Sequence, residues 1–209
     1  MPLRNVERTP VDVWNALSQG NERFMSFTED RPNQGPIRRR EVRDGQKPAA
    51  VVISCSDSRV PVELIFDVGL GDLFVVRTAG EILDQAVFAS IEYAIESIGV
   101  PLVIVMGHES CGAVAATAGA LDGGEIPGGY QRVLIEKVAP SILEAKAEGM
   151  SSIKDFEEHH VVATVNQILS RSPEINQKVE EGTVGIIGLR YQLSDGRTQP
   201  IIGRNVGLD

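Results

Sequence analysis

Cysteine, histidine, aromatic residues and positive charge are all scarce in this chain of 209 residues. Two cysteines cannot staple a domain of this size, so no disulfide framework holds it, and a pair of thiols in a reducing compartment points to metal binding or catalysis. Basic residues number 20 against 29 acidic ones, a net charge of −9, which denies nucleic acid or an anionic membrane a general electrostatic hold. No apolar run approaches the ~20 residues of a membrane-spanning helix. No apolar stretch follows Arg4, Glu7 and Arg8, so no secretory leader is expected and the chain reads as cytoplasmic. What is present is ordinary globular material: 42% hydrophobic and 23% charged residues, enough to bury a sizeable core. Without an internal repeat or low-complexity tract, residues 1–209 read as one domain.

Thr9 followed by Pro10 has the form of an N-cap and first helical position, and the segment from Val11 to Phe27 sets Val13, Trp14, Leu17 and Phe24 near one helical face. Residues 31–48, rich in Pro, Gly and Arg, read as a loop with at most one short helical turn. Three apolar, β-branched runs follow: 49–54 (AAVVIS), 72–77 (DLFVVR) and 101–107 (PLVIVMG). They lack alternation, as strands buried on both faces of a parallel sheet do. Helical spacing over 84–98 makes the second and third a β-α-β crossover. Helices are expected over 111–121, 132–148 and 152–170, then a last strand over 183–193 that turns at Ser194-Asp195-Gly196 into a hairpin. The expected fold is α/β: a central, mostly parallel sheet of four to five strands flanked by helices, with residues 1–30 as an N-terminal helical arm.

The polar residues at the strand ends carry the chemistry. Cys55 stands at the C-terminal end of the first strand, and His108 and Cys111 just beyond the third, where sites form in open α/β sheets. Two thiolates and an imidazole suit Zn²⁺ and leave one tetrahedral position for water, which the ion acidifies into a hydroxide nucleophile. Asp57 can reach either the metal or that hydroxide. Arg59, two residues on, can hold the carboxylate with paired hydrogen bonds, keeping it off the metal and aimed at the hydroxide. If that pair breaks, Asp57 becomes a fourth ligand and closes the site. His159 and His160 lie in a polar helical stretch (FEEHH) and read as solvent-facing.

Cys55-x-Asp57-Ser58-Arg59 followed by His108-x-x-Cys111 resembles the β-class carbonic anhydrases, and the likeness is nearly continuous from about residue 45 to 118. The resemblance implies one zinc per chain on Cys55, His108 and Cys111, an Asp57-Arg59 catalytic dyad, and reversible hydration of CO₂ to bicarbonate and a proton. It implies a substrate pocket on Gln46, Phe74, Ala79 and Gly112, with Tyr93 on a dimer-forming helix. Ala79 replaces a valine often seen in the family, which widens that pocket slightly. The resemblance further implies a homodimer or homotetramer with active sites at the dimer interface, and an arm whose Val13, Trp14 and Leu17 pack on the partner subunit. A bicarbonate effector pocket known in one subgroup is incomplete, because Val52 stands at its tryptophan position although Arg77 and Tyr191 match. Two other readings use the same residues: hydrolysis of CS₂ or COS, and a non-catalytic zinc or bicarbonate-binding module with Asp57 fixed on the metal. Thiolates donate more charge to zinc than imidazoles do, so an activity optimum above neutral pH is expected.

Overall fold

A computed structural model describes Leu3 and residues 7–208. The rest of the expected arm's first six residues, and Asp209 at the end of the expected domain, lie outside the described residues. Helix α1 (Pro10–Met25) begins at Thr9, whose side chain accepts from the Asp12 N–H, and Pro10 occupies the first turn as its spacing predicts. The expected short helical turn is α2 (Pro36–Glu41).

Five strands form one sheet in the order β2-β1-β3-β4-β5. Strands β1 (Ala50–Cys55), β2 (Leu73–Thr78), β3 (Leu102–His108) and β4 (Gly185–Tyr191) run parallel, and β5 (Thr198–Arg204) returns antiparallel to β4. Each of the first three starts and ends one residue later than the apolar run that signals it. Consequently Cys55 and His108 are themselves the last residues of their strands, not the residues after them.

Alternate strand residues feed two cores. Val51, Ile53, Val103, Val105 and Ile186 face α4 (Gln85–Glu92), α7 (Ile153–Arg171) and α8 (Pro173–Glu180). Val52, Leu102, Ile104, Met106, Ile187 and Leu189 face α1 and α3 (Val62–Ile65). A third cluster, at the C-terminal ends of the strands, joins both cysteines to α5 (Gly112–Leu121) and α6 (Arg132–Ala147). The crossover helix expected over 84–98 is α only to Glu92; Tyr93–Ser97 continues as a π turn, with the Ile98 N–H donating to the Tyr93 carbonyl. Periodicity leaves 171–182 without an element, yet Ser172 caps α8 there and Pro173 opens it, burying Ile175 and Val179.

The arm is part of this chain's own core. Val13, Trp14 and Leu17 are buried against its own sheet and α3, a correction to their expected place on a partner. Asn21 stitches the arm down: its amide donates to the carbonyls of Ile65 and Gly196, and its oxygen accepts from the Thr198 N–H and hydroxyl. Arg23 adds an ion pair to buried Asp67 at 2.6 Å.

Helix α7 lies close on the sheet where two strand residues lack side chains. A Cβ at Gly107 would sit 2.5 Å from Val161 Cγ2, and one at Gly188 would sit 2.7 Å from Val161 Cγ1. That approach brings the first turns of α7, with Glu157 and His160, behind the ends of β1 and β3. No helix among the described residues is long and apolar enough to cross a membrane.

Candidate metal centre and active site

The end of β1 supplies Cys55, the end of β3 supplies His108, and the residue capping α5 is Cys111. Their sulfur and nitrogen atoms all lie within 4.8 Å of one another, and all three residues are buried. His108 Nδ1 is 2.8 Å from the Glu109 carbonyl, an acceptor only, so Nδ1 carries the proton and Nε2 presents a bare lone pair. That Nε2 is buried and has no hydrogen-bond partner. A buried lone pair without a donor is an energetic liability unless a cation takes it, and two adjacent sulfurs complete a soft donor set. The residues present therefore fit zinc, with Cys55, His108 and Cys111 to hold it.

The electrostatics agree. A hydrogen bond from Cys111 pulls the Cys55 thiol well down from its ordinary value, and the same contact, together with burial, pushes the Cys111 thiol up. Without a cation the pair thus carries one negative charge; a divalent metal makes both thiolates favourable. Burial works to lower the His108 pKa, but the neighbouring Cys55 thiolate outweighs it and the net direction is up.

Around the donors stands a supporting shell that sequence reasoning missed. The Gly80 N–H donates to Cys55 Sγ at 3.2 Å. Gly80 has φ +67°, and a Cβ there would meet Ala113 Cβ at 2.7 Å, so only glycine fits. Glu157 accepts from the Cys111 N–H at 3.2 Å and is paired with Arg190 at 2.8 Å, both residues being buried. His160, expected in solvent, is also buried: Nε2 lies 2.9 Å from the Gly80 carbonyl and Nδ1 lies 2.8 Å from Ser141 Oγ. His159 beside it is also largely covered, its side chain 13% exposed and lying against Glu144 and Glu148 of α6. Glu81, fully buried, has one carboxyl oxygen with no partner, and burial pushes its pKa up to about 8. The missed signal was in the register: Glu157, His160, Val161, Thr164, Val165 and Ile168 form one helical stripe, and polar residues on an apolar stripe must be satisfied inside.

Asp57 follows β1 at the lip of the site. The Arg59 guanidinium grips it with two hydrogen bonds, Nε to Oδ1 at 2.9 Å and Nη2 to Oδ2 at 2.7 Å, its backbone N–H adds a third to Oδ1 at 2.9 Å, and together they hold the Asp57 carboxyl well below the usual carboxylate range. Asp57 is not among the clustered donors, so it does not stand as a fourth ligand here. Arg77 donates to the Cys55 carbonyl at 3.0 Å and the Asp57 carbonyl at 2.6 Å, bracing the loop between them. A cavity of about 450 Å³ opens beside Cys55 and Asp57, walled by Ala79, Gly112, Ala113, Leu134 and Ile135.

Ala79 and Gly112 line this cavity, whereas Gln46, Phe74 and Tyr93 do not. Phe74 is in register with Val51, four residues and about 13 Å from the end of β2. Gln46 precedes β1 and is exposed. Tyr93, half exposed at the end of α4, lies with its ring centroid 6.2 Å from that of Phe74. Within one chain, these residues belong to the opposite end of the sheet from the metal donors.

Residues 50–198 match the family model described as carbonic anhydrase. The chain is 49% identical over 188 residues to carbonic anhydrase 2 of Mycobacterium tuberculosis, covering 90% of this chain and 91% of that protein. The chain belongs to the β-class carbonic anhydrase family. A second relative, the carbonic anhydrase of Mycolicibacterium smegmatis, is 50% identical over 190 residues, covering 91% and 92% of the two chains. Among solved structures, a tetrameric β-carbonic anhydrase of Sordaria macrospora superposes with a TM-score of 0.68 at 28% identity, over 77% of this chain and 84% of that one. The β-carbonic anhydrase of Coccomyxa gives the same TM-score at 25% identity, over 78% and 76%. As a β-carbonic anhydrase the chain is an enzyme, a carbonate dehydratase that hydrates CO₂, and its Cys-His-Cys cluster fits the zinc of the family.

Proposed function

We propose that this carbonic anhydrase hydrates CO₂ reversibly at one zinc per chain held by Cys55, His108 and Cys111, with Asp57 and Arg59 as its catalytic pair. The observation that carries the reading is the buried, partnerless Nε2 of His108 beside two thiols of opposed proton affinity. Zinc bound there acidifies water and so supplies the nucleophile for CO₂ near neutral pH. The chain's own residues do the rest. Arg59 occupies both carboxylate oxygens of Asp57 from one side, fixing the direction in which that carboxylate accepts a further hydrogen bond. The apolar wall of Ala79, Ala113, Leu134 and Ile135 suits a small linear molecule without charge and keeps competing water off it.

Asp57→Ala and Arg59→Ala should each lower kcat by about 10²-fold, the scale of a lost orienting contact, while retaining zinc. Metal analysis beside stopped-flow rates checks this; full kcat in both variants would refute the pair. The grip of Arg59 on Asp57 also favours catalysis over a closed binding module. Nothing in the cavity favours CS₂ or COS over CO₂.

The active form we propose is a homodimer or a homotetramer in which Gln46, Phe74 and Tyr93 of one chain complete the cavity of another. Support comes from their place at the opposite end of the sheet, where they are partly exposed and stand apart from the cavity beside their own chain's donors. Phe74→Ala should reduce kcat/KM although it lies about 13 Å along the strand from its own metal donors; an unaltered kcat/KM, or a monomer by sedimentation, would contradict the arrangement. We place the enzyme in the cytoplasm, where both cysteines stay reduced and free for metal, as they are in the structure.

A further inference from the structure

The strand-to-helix connection carrying Gly80 raises a mechanical question. Gly80 is the donor to Cys55 Sγ, yet it is the residue least able to hold its own dihedral angles, and the tight approach of Ala113 forbids any side chain that would stiffen it. Something else must keep its N–H aimed at the sulfur.

We propose that His160 is a positioning residue for the metal centre: it pins the Gly80 carbonyl so that the Gly80 N–H stays on Cys55. The inference rests on the zinc reading above. The Gly80 carbonyl can only accept, so Nε2 of His160, 2.9 Å away, carries a proton. Burial lowers the ring's pKa and so favours its neutral form, which leaves Nδ1 as an acceptor for the Ser141 hydroxyl at 2.8 Å, a proton shared with the Val138 carbonyl at 2.8 Å from the same oxygen. Both ring nitrogens are then satisfied, one tautomer is selected, and the ring is clamped between α6 and the Gly80 loop. The order of contacts is Ser141, His160, Gly80, Cys55, linking α6 and α7 to the sulfur at the end of β1. A donor hydrogen bond on a thiolate draws charge from it and fixes its direction, and outer partners of this kind change metal affinity by about 10–100-fold.

The test compares His160→Leu, which removes the donor at similar volume, with His160→Gln, whose amide restores an N–H at about the reach of Nε2. Two readouts besides activity are followed: the rate of zinc loss to a chelator, and the sulfur-to-metal charge-transfer band of the cobalt-substituted protein. His160→Leu should lose zinc about 10–100-fold faster and move the band to longer wavelength, because the sulfur is left richer in charge. His160→Gln should restore both. If His160→Leu does not fold, Ser141→Ala frees the ring from behind and should move both readouts in the same direction by a smaller amount.

A merely structural histidine gives a different pattern: lowered thermal stability with zinc release and the cobalt band unchanged, which overturns the proposal. A wild-type chain that takes up neither metal overturns the zinc reading and this inference together. A loaded wild type whose Leu and Ala variants match it overturns only the inference.

Discussion

Cys111→Ala is expected to purify with almost no zinc and to hydrate CO₂ no faster than the buffer does. Structural zinc sites are worth roughly 10–16 kcal/mol, so each ligand of a four-coordinate site carries on the order of 3–4 kcal/mol, or about 10²- to 10³-fold in affinity. The loss at this position is expected at the upper end. Cys111 is the sulfur whose proton affinity is raised by Cys55 and by burial, so its thiolate form is favoured only with a cation to share it. Removing it leaves His108 and Cys55 as a two-donor remnant. The fold should survive, since the substitution deletes one buried atom from a cluster otherwise filled by Val114, Val138 and Ile142. Circular dichroism like the wild type with zinc near zero is the expected pair of results. Stoichiometric zinc and an undiminished rate in this variant would remove Cys111 from the site.

The second large effect is expected behind the metal, at Arg190→Ala. Glu157 and Arg190 form a buried ion pair in which Arg190 uses both Nε and Nη2, and Glu157 keeps its other oxygen on the Cys111 N–H. Deleting the guanidinium strands a carboxylate in the core, a change that typically costs about 3–5 kcal/mol. For a chain of this length, that is a drop in Tm of roughly 6–20 °C. The double variant Glu157→Gln with Arg190→Met removes the charge as well as its partner, and should regain most of the loss, because burying a neutral amide on the same N–H needs no counter-ion. Differential scanning calorimetry of the two variants decides it. A Tm for Arg190→Ala within about 2 °C of the wild type, or a double variant less stable than the single one, would contradict the account of this pair.

Sequence pattern was most informative where structure is local. Strands of both-face-buried Val and Ile residues declare themselves by composition, and the ends of two such strands fix where Cys55 and His108 must lie, since a parallel sheet gathers its C-terminal ends on one edge. Capping made α1 legible to the residue at Thr9, while the start of α7 is fixed in the structure by Ser152, which forms a reciprocal cap with Asp155. What those signals do not contain is the identity of the surface a helix covers. The apolar face of α1 is plain in the sequence, but only the stitching by Asn21 and Arg23 commits it to this chain's own sheet.

The supporting shell was hidden for a related reason. FEEHH reads as a polar run because four of its five residues are polar, yet the helix turns Glu157 and His160 inward while Glu158 and His159 stay nearer the surface. Composition averages over that alternation; the stripe from Glu157 to Ile168 preserves it. Gln46 and Phe74 illustrate the opposite limit. Strand direction alone puts them at the N-terminal end of the sheet, away from the donors, and no pattern within one chain reports what a second copy would bring there.

The measurement that tests the central claim most directly is stopped-flow CO₂ hydration with an indicator dye, on protein whose zinc content has been determined, at about pH 7 and again at about pH 8.5. The account predicts one zinc per chain and rapid hydration, faster at the higher pH. One zinc per chain with no hydration at either pH would contradict it.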